Sequence, residues 1–144
     1  MKSIAIYLNF EGKTEEAFKL YRSVFGGEFA SLQRYRDMPG SEKVKAADKE
    51  KLLHIALPLG KTGVALMGSD KIEGFGPNLK MGNNVHISIV TESEEEAKRI
   101  VNALSAGGKS IMPLQKQFWG DLYGSFEDKF GANWMVSYSY PKEG

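Results

Sequence analysis

The chain has 144 residues, of which 42% are hydrophobic and 26% charged, which suits one domain able to bury roughly two-thirds of its unfolded surface. It has no cysteine and two histidines, so thiol nucleophiles, iron–sulfur clusters and cysteine-based zinc sites are excluded. Its 19 basic and 18 acidic residues leave a net charge of +1, which offers no footprint for nucleic acid or an anionic membrane. No stretch is long and apolar enough to predict a membrane span, and MKSIAIYLNF is too short and too alternating for a signal peptide. A cytoplasmic location is the default expectation.

Ile4, Ile6, Leu8 and Phe10 alternate with Ser3, Ala5, Tyr7 and Asn9, which predicts a strand with one strongly apolar side. A helix follows, with Thr14 as its expected N-cap and Glu15 and Glu16 at the dipole's positive end. Ala17, Phe18, Tyr21, Val24 and Phe25 form its apolar stripe, and Gly26-Gly27 ends it. Phe29 to Tyr35 reads as a second strand, and the polar segment Arg36 to Lys51 as a loop with at most one helical turn. Leu52 to Leu57 and Val64 to Met67 form a hairpin around Gly60-Lys61-Thr62-Gly63. The Gly-rich residues 68–83 lack periodicity and read as a connector.

The pattern then repeats. Val85, Ile87 and Ile89 alternate with His86, Ser88 and Val90. Ser93 and Glu96 form a capping box, and Ala97, Ile100, Val101 and Leu104 make a helical stripe ended by Gly107-Gly108. Strands are expected over Ser110 to Met112, Leu122 to Glu127 and Trp134 to Tyr140, with Asp128-Lys129-Phe130-Gly131 turning the last hairpin. Glu15-Glu16-Ala17 precedes Glu95-Glu96-Ala97 by 80 residues, and Gly26-Gly27 precedes Gly107-Gly108 by 81. The fold class is therefore α+β, two βαβββ modules with curved mixed sheets. The modules are expected at about 1–70 and 84–144, joined by a connector at about 71–83. On the sheet faces away from the helices, Ala5, Tyr7, Asn9, His86, Ser88, Asn133, Met135 and Ser137 make a mixed lining of the kind ligand pockets use.

Five segments carry a resemblance: 7–29, LLHIAL at 52–57, LMGSD at 66–70, MPLQKQFWGDLYG at 112–124 and DKFGANWMVSY at 128–138. With them the chain resembles the vicinal oxygen chelate superfamily of glyoxalases, bleomycin-resistance proteins and dioxygenases, and within it the PhnB-like branch. The resemblance implies a single glyoxalase-like domain over 1–144 and a homodimer. It also places the four chelating positions of the superfamily's divalent metal. These fall on Ala5, on Leu66 or Met67, on His86 and on Met135. Only His86 is an ordinary ligand, so no metal and no cofactor are expected.

His86 is the candidate acid–base or ligand-contacting residue, and a structural histidine is the competing reading. His54 lies mid-strand on an undetermined face, as a ligand contact or a satisfied structural group. Tyr7, Asn9 and Ser88 are polar positions on the lining face. Met67 and Met135 would floor a pocket or belong to ordinary core. Trp119, with Phe118, Tyr123 and Phe126, would close over a ligand or pack in the core or a dimer interface. No spacing selects Glu11, Asp70 or Glu127 as partners of either histidine in a metal site. Gly12-Lys13-Thr14 lacks the preceding glycine of a phosphate loop, where Tyr7 stands, and Gly60-Lys61-Thr62 lacks it likewise. The expected function is metal-independent binding of an unidentified small molecule. A metal-dependent or His86-assisted lyase, isomerase or dioxygenase is the alternative, and a pure interaction module the plainest reading.

Overall fold

A computed structural model describes residues 1–142. They divide into two compact units, the first over 1–80 and the second from residue 81 onward. The first contains β1 (Ala5–Phe10), α1 (Thr14–Phe25), β2 (Ser31–Arg34), β3 (Leu52–Pro58) and β4 (Ala65–Asp70). The second contains β5 (Ile87–Val90), α2 (Glu94–Ser105), β6 (Lys109–Lys116), β7 (Leu122–Glu127) and β8 (Asn133–Tyr138). Each unit holds one four-stranded sheet, in the orders β1-β4-β3-β2 and β5-β8-β7-β6. The first and last strands of a unit pair in parallel, and the other pairs are antiparallel. The duplicated βαβββ pattern is thus the architecture of the molecule.

In the first unit, Ala17, Phe18, Tyr21 and Val24 turn α1's apolar stripe onto the sheet and are buried. Leu66 and Gly68 lie on that side of β4. Gly68 cannot carry a side chain there: a Cβ would stand 2.7 Å from Phe18 Cε1 and 2.9 Å from the Leu8 carbonyl oxygen. Thr14 is the first helical residue rather than the cap, because its hydroxyl is taken elsewhere. It donates to Asp70 Oδ1 at 2.7 Å, and the Gly12 and Thr14 amides donate to the same oxygen at 2.9 and 3.1 Å. Asp70 Oδ2 accepts the Leu52 amide at 2.8 Å, and the Tyr35 hydroxyl donates to the Asp70 carbonyl oxygen at 2.7 Å. One buried carboxylate therefore ties the β1–α1 junction to the start of β3.

The second unit uses a different device. Asp128 Oδ1 accepts the Phe130 and Ala132 amides, at 2.9 and 3.0 Å, and Oδ2 accepts Trp134 Nε1 at 2.9 Å. Gly131, at φ +96°, closes this turn in the left-handed region that favours glycine. Ser93 Oγ caps α2 by accepting the Glu96 amide at 3.1 Å. The Glu96 carboxylate reaches back to the Glu92 amide, one residue beyond the position a capping box would use.

Several boundaries differ from the sequence-based expectation. β2 is four residues long, because Tyr35 leaves the sheet to pack with Val44 and Ile72. Residues 35–48 contain three short 3₁₀ turns rather than one helical turn. β4 runs to Asp70, into the expected connector, because β1 continues to pair with it through Asn9↔Ser69 and Phe10↔Asp70. β5 begins at Ile87, leaving His86 just before it, and β8 ends at Tyr138. β6 runs through Pro113 to Lys116 as an edge strand, where the missing amide donor can face away from the sheet.

Candidate functional site

In-register neighbours in a sheet share a face, so the pairings order the open face of the first sheet into rows. Ala5, Ala65 and Pro58 form one row, and Tyr7, Met67, Ala56 and Ser31 the next. Asn9 pairs with Ser69, and His54 with Gln33. With Ile55 opposite Gly68, the antiparallel register brings His54 beside Ser69 and completes a third row. This puts His54 on the same face as Tyr7, Asn9 and Met67.

Side-chain contacts agree with that assignment. The Tyr7 hydroxyl lies 3.1 Å from His54 Nδ1, and their rings are 5.8 Å apart with a 31° tilt. Ser69 Oγ donates to Asn9 Oδ1 at 3.1 Å. Ser69 and Gln33 are site residues that the sequence did not single out. Extending the alternation of β4 two residues past Met67 would have found Ser69. Gln33 follows only from its register with His54.

Beside this face, Arg34 grips Glu15 through two parallel bonds of 3.1 and 2.8 Å. The hydrogen bond from Arg34 and its positive charge hold the Glu15 carboxyl below its ordinary value. That pair fastens β2 to α1, and it is extended by Glu50, 3.9 Å from Arg34 Nε, and by Lys19, 4.0 Å from Glu15 Oε2.

In the second unit, β5 and β8 place Ser88 opposite Met135 and Val90 opposite Ser137. Ile87 pairs with Trp134 and Ile89 with the buried Val136, so the alternating apolar side is the covered one. His86, Ser88 and Val90 are exposed. Trp119 sits in the 117–120 turn after β6, closed by the Gly120 amide donating to the Gln117 carbonyl oxygen at 3.0 Å. Its ring meets Phe118 at 5.0 Å and Tyr123 at 6.1 Å, both edge-to-face. Phe118 is 97% exposed, whereas Phe126 is buried, so this cluster divides between surface and core.

The family model of the glyoxalase/bleomycin resistance protein/dioxygenase superfamily matches residues 4–136. The chain belongs to that superfamily. It is 28% identical to protein YjdN of Escherichia coli over 134 residues, 91% of each chain. Among solved structures it resembles protein PA1353 of Pseudomonas aeruginosa, with 35% identity, a TM-score of 0.83, and 95% of this chain and 97% of that one covered. It also resembles a PhnB protein of Bacillus cereus, with 26% identity, a TM-score of 0.78, and 94% and 98% covered.

Membership makes the superfamily's chelating positions a test that this chain can take. Leu66 faces the helix and is fully buried, so Met67 is the β4 residue on the open face. The first unit then offers the Ala5 methyl and the Met67 thioether, and the second the His86 imidazole and the Met135 thioether. A divalent metal that prefers imidazole and carboxylate ligands is held neither by a methyl beside a thioether nor by one imidazole beside a thioether. Among the described residues, no group of three or more His, Asp or Glu comes together elsewhere as a metal site. The residues present do not fit the superfamily's metal.

Proposed function

We propose that this chain is a PhnB-like small-molecule-binding protein of the superfamily, one that holds its ligand through side chains rather than through a chelated metal. The observation that carries this reading is the replacement of chelating positions by Ala5, Met67 and Met135, with polar groups beside them. In the first unit those groups are Tyr7, His54, Asn9 and Ser69, and in the second His86 and Ser88. A thioether is polarizable and adaptable, which suits a floor for ligands of varied shape. Trp119 supplies an exposed aromatic surface for the same purpose. Superfamily membership supports a homodimer, and the absence of cysteine together with balanced charge agrees with a cytoplasmic location.

Metal content and ligand response test the reading together. Protein purified without metal-affinity steps is analysed for bound elements, then melted with nickel, zinc, manganese or iron, and with planar aromatic and small carbonyl compounds. The expected outcome is no stoichiometric metal, no metal-induced shift, and stabilisation by at least one organic compound. At a hundredfold excess over Kd, mass action stabilises by about 2.7 kcal/mol. For a chain of this length that is a rise of roughly 8 °C in Tm. A stoichiometric divalent metal that disappears in His86→Ala would replace this reading by the metal-dependent enzyme of the same superfamily.

A further inference from the structure

The open face of the first sheet has two properties that select a ligand class. The first is its lack of charge. None of the strand residues in its three rows is Asp, Glu, Lys or Arg, although 26% of the chain is charged. Beyond the last of these rows, Arg34 is held by Glu15 and Glu50, and the Lys71 amine donates to the carbonyl oxygens of Ile72, Phe75 and Gly76. The second is its gradient. The row containing Asn9, Ser69, His54 and Gln33 is polar. The row containing Ala5, Ala65 and Pro58 is apolar and borders a cavity of about 250 Å3, lined also by Ile4, Val64 and Met67. Lys2 and Lys61 are close in sequence to that cavity but do not line it.

We infer that this face binds a neutral amphipathic molecule, with an aromatic ring or short alkyl group against Ala65 and Met67 at the mouth of the apolar slot and an uncharged amide, lactam or hydroxyl head on the Tyr7–His54 pair. The inference rests on the ligand-holding reading above and adds the chemical class. The Tyr7–His54 pair makes the head group's chemistry specific. If the phenol donates to Nδ1, the neutral ring carries its proton on Nε2 and offers a donor, while the phenol oxygen offers a lone pair. If Nδ1–H donates instead, Nε2 is an acceptor and the phenol a donor. In either tautomer the pair presents one donor and one acceptor, and it changes between them without acquiring net charge. Asn9 and Gln33 likewise carry one donor group and one acceptor group each. A ligand with both functions on one planar group is matched by both states. An ammonium is not, because it would be desolvated here with no opposite charge to meet it, and neither is a carboxylate while the His54 ring is neutral.

Three isosteric probes separate the possibilities: benzamide, benzoate and benzamidine, which share one ring and differ in head-group charge. Each is titrated at pH 8 into the isotopically labelled chain and followed by amide chemical shifts. The expected result is a benzamide Kd in about the millimolar range, with shifts at Tyr7, His54, Ala65 and Met67 and no dependence on salt. Benzoate and benzamidine bind at least tenfold more weakly. His54→Ala weakens benzamide at least fivefold, and Ala65→Leu, which fills the slot, removes its binding. Equal or tighter binding of either charged probe on this face overturns the neutral class and leaves the ligand-holding reading standing. Shifts that map away from β1, β3 and β4 overturn the site. Failure of all three probes to bind overturns the class and the site, and the broader compound screen then decides the ligand-holding reading separately.

Discussion

Replacing Asp70 by asparagine should destabilise the first unit by about 3 kcal/mol. Its carboxylate is 2% exposed and accepts four hydrogen bonds, three on Oδ1 and one on Oδ2. The substituted side chain would keep one oxygen, which would remain with the three donors from Gly12 and Thr14. Its amino group would then confront the Leu52 amide, donor against donor. The Leu52 bond is lost, and a buried unsatisfied donor costs about 1–3 kcal/mol. The remaining three bonds pass from charged to neutral acceptors, which roughly halves the strength of each. The neutral side chain recovers part of this through cheaper desolvation, which keeps the total near ~3 kcal/mol rather than twice that. For a chain of this length the melting temperature should fall by about 9 °C. Urea unfolding followed by far-ultraviolet circular dichroism measures the loss, and native-state hydrogen exchange localises it. The Leu52 and Thr14 amides should lose protection while amides of β7 and β8 keep theirs. A double-mutant cycle with Thr14→Ala should return a coupling of about 1 kcal/mol or more, since the two side chains share one bond. A loss under about 1 kcal/mol with Leu52 still protected would show that the carboxylate does not organise the junction.

Two further outcomes follow from the same contacts. Trp134→Phe removes the indole donor from Asp128 Oδ2 and leaves a gap in the core of the second unit. Urea unfolding should show a loss of about 2–4 kcal/mol, and an unchanged midpoint would argue against this bond as the anchor of the last hairpin. Glu15→Gln should lower stability by about 1 kcal/mol at pH 7, from loss of the two-pronged Arg34 contact, discounted for partial exposure. Glu15's folded value is depressed, so its contribution is present above the unfolded value of about 4.3 and disappears as pH falls through the folded one. Thermal melts at pH 7 and pH 3 should show the gap between variant and wild type closing, and a gap that widens toward pH 3 would contradict the sign.

Much of this fold is legible because its elements obey strong local periods. β1, α1, α2 and β7 show their alternation or stripe directly, and the spacing of Glu-Glu-Ala and Gly-Gly displays the duplication. What the sequence hides depends on distant partners. Thr14 resembles a cap in its own neighbourhood, and only Asp70, 56 residues later, claims its hydroxyl. Gly-Ser-Asp at 68–70 has poor strand propensity and extends β4 because β1 continues alongside. Pro113 would end most strands, but β6 lies at an edge. The candidate site divides in the same way. Tyr7, Asn9 and Met67 follow from alternation, whereas the face of His54 depends on strand register, which a one-residue slip would reverse.

The parallel pairing of the first and last strand in each unit also bears on synthesis. β1 leaves the ribosome before its partner β4, which lies about 60 residues downstream, with Asn9 against Ser69 as the register. At roughly 5–20 residues per second, that strand waits about 3–12 s with its edge unpaired. In the second unit Ser88 meets Met135 after a shorter interval. The alternation of β1, apolar on one side and uncharged on the other, is therefore exposed longest at the stage when no sheet exists to cover it. A nascent-chain binding factor acting on this protein should engage it in that window, and stalled chains ending before residue 65 should be the ones it holds.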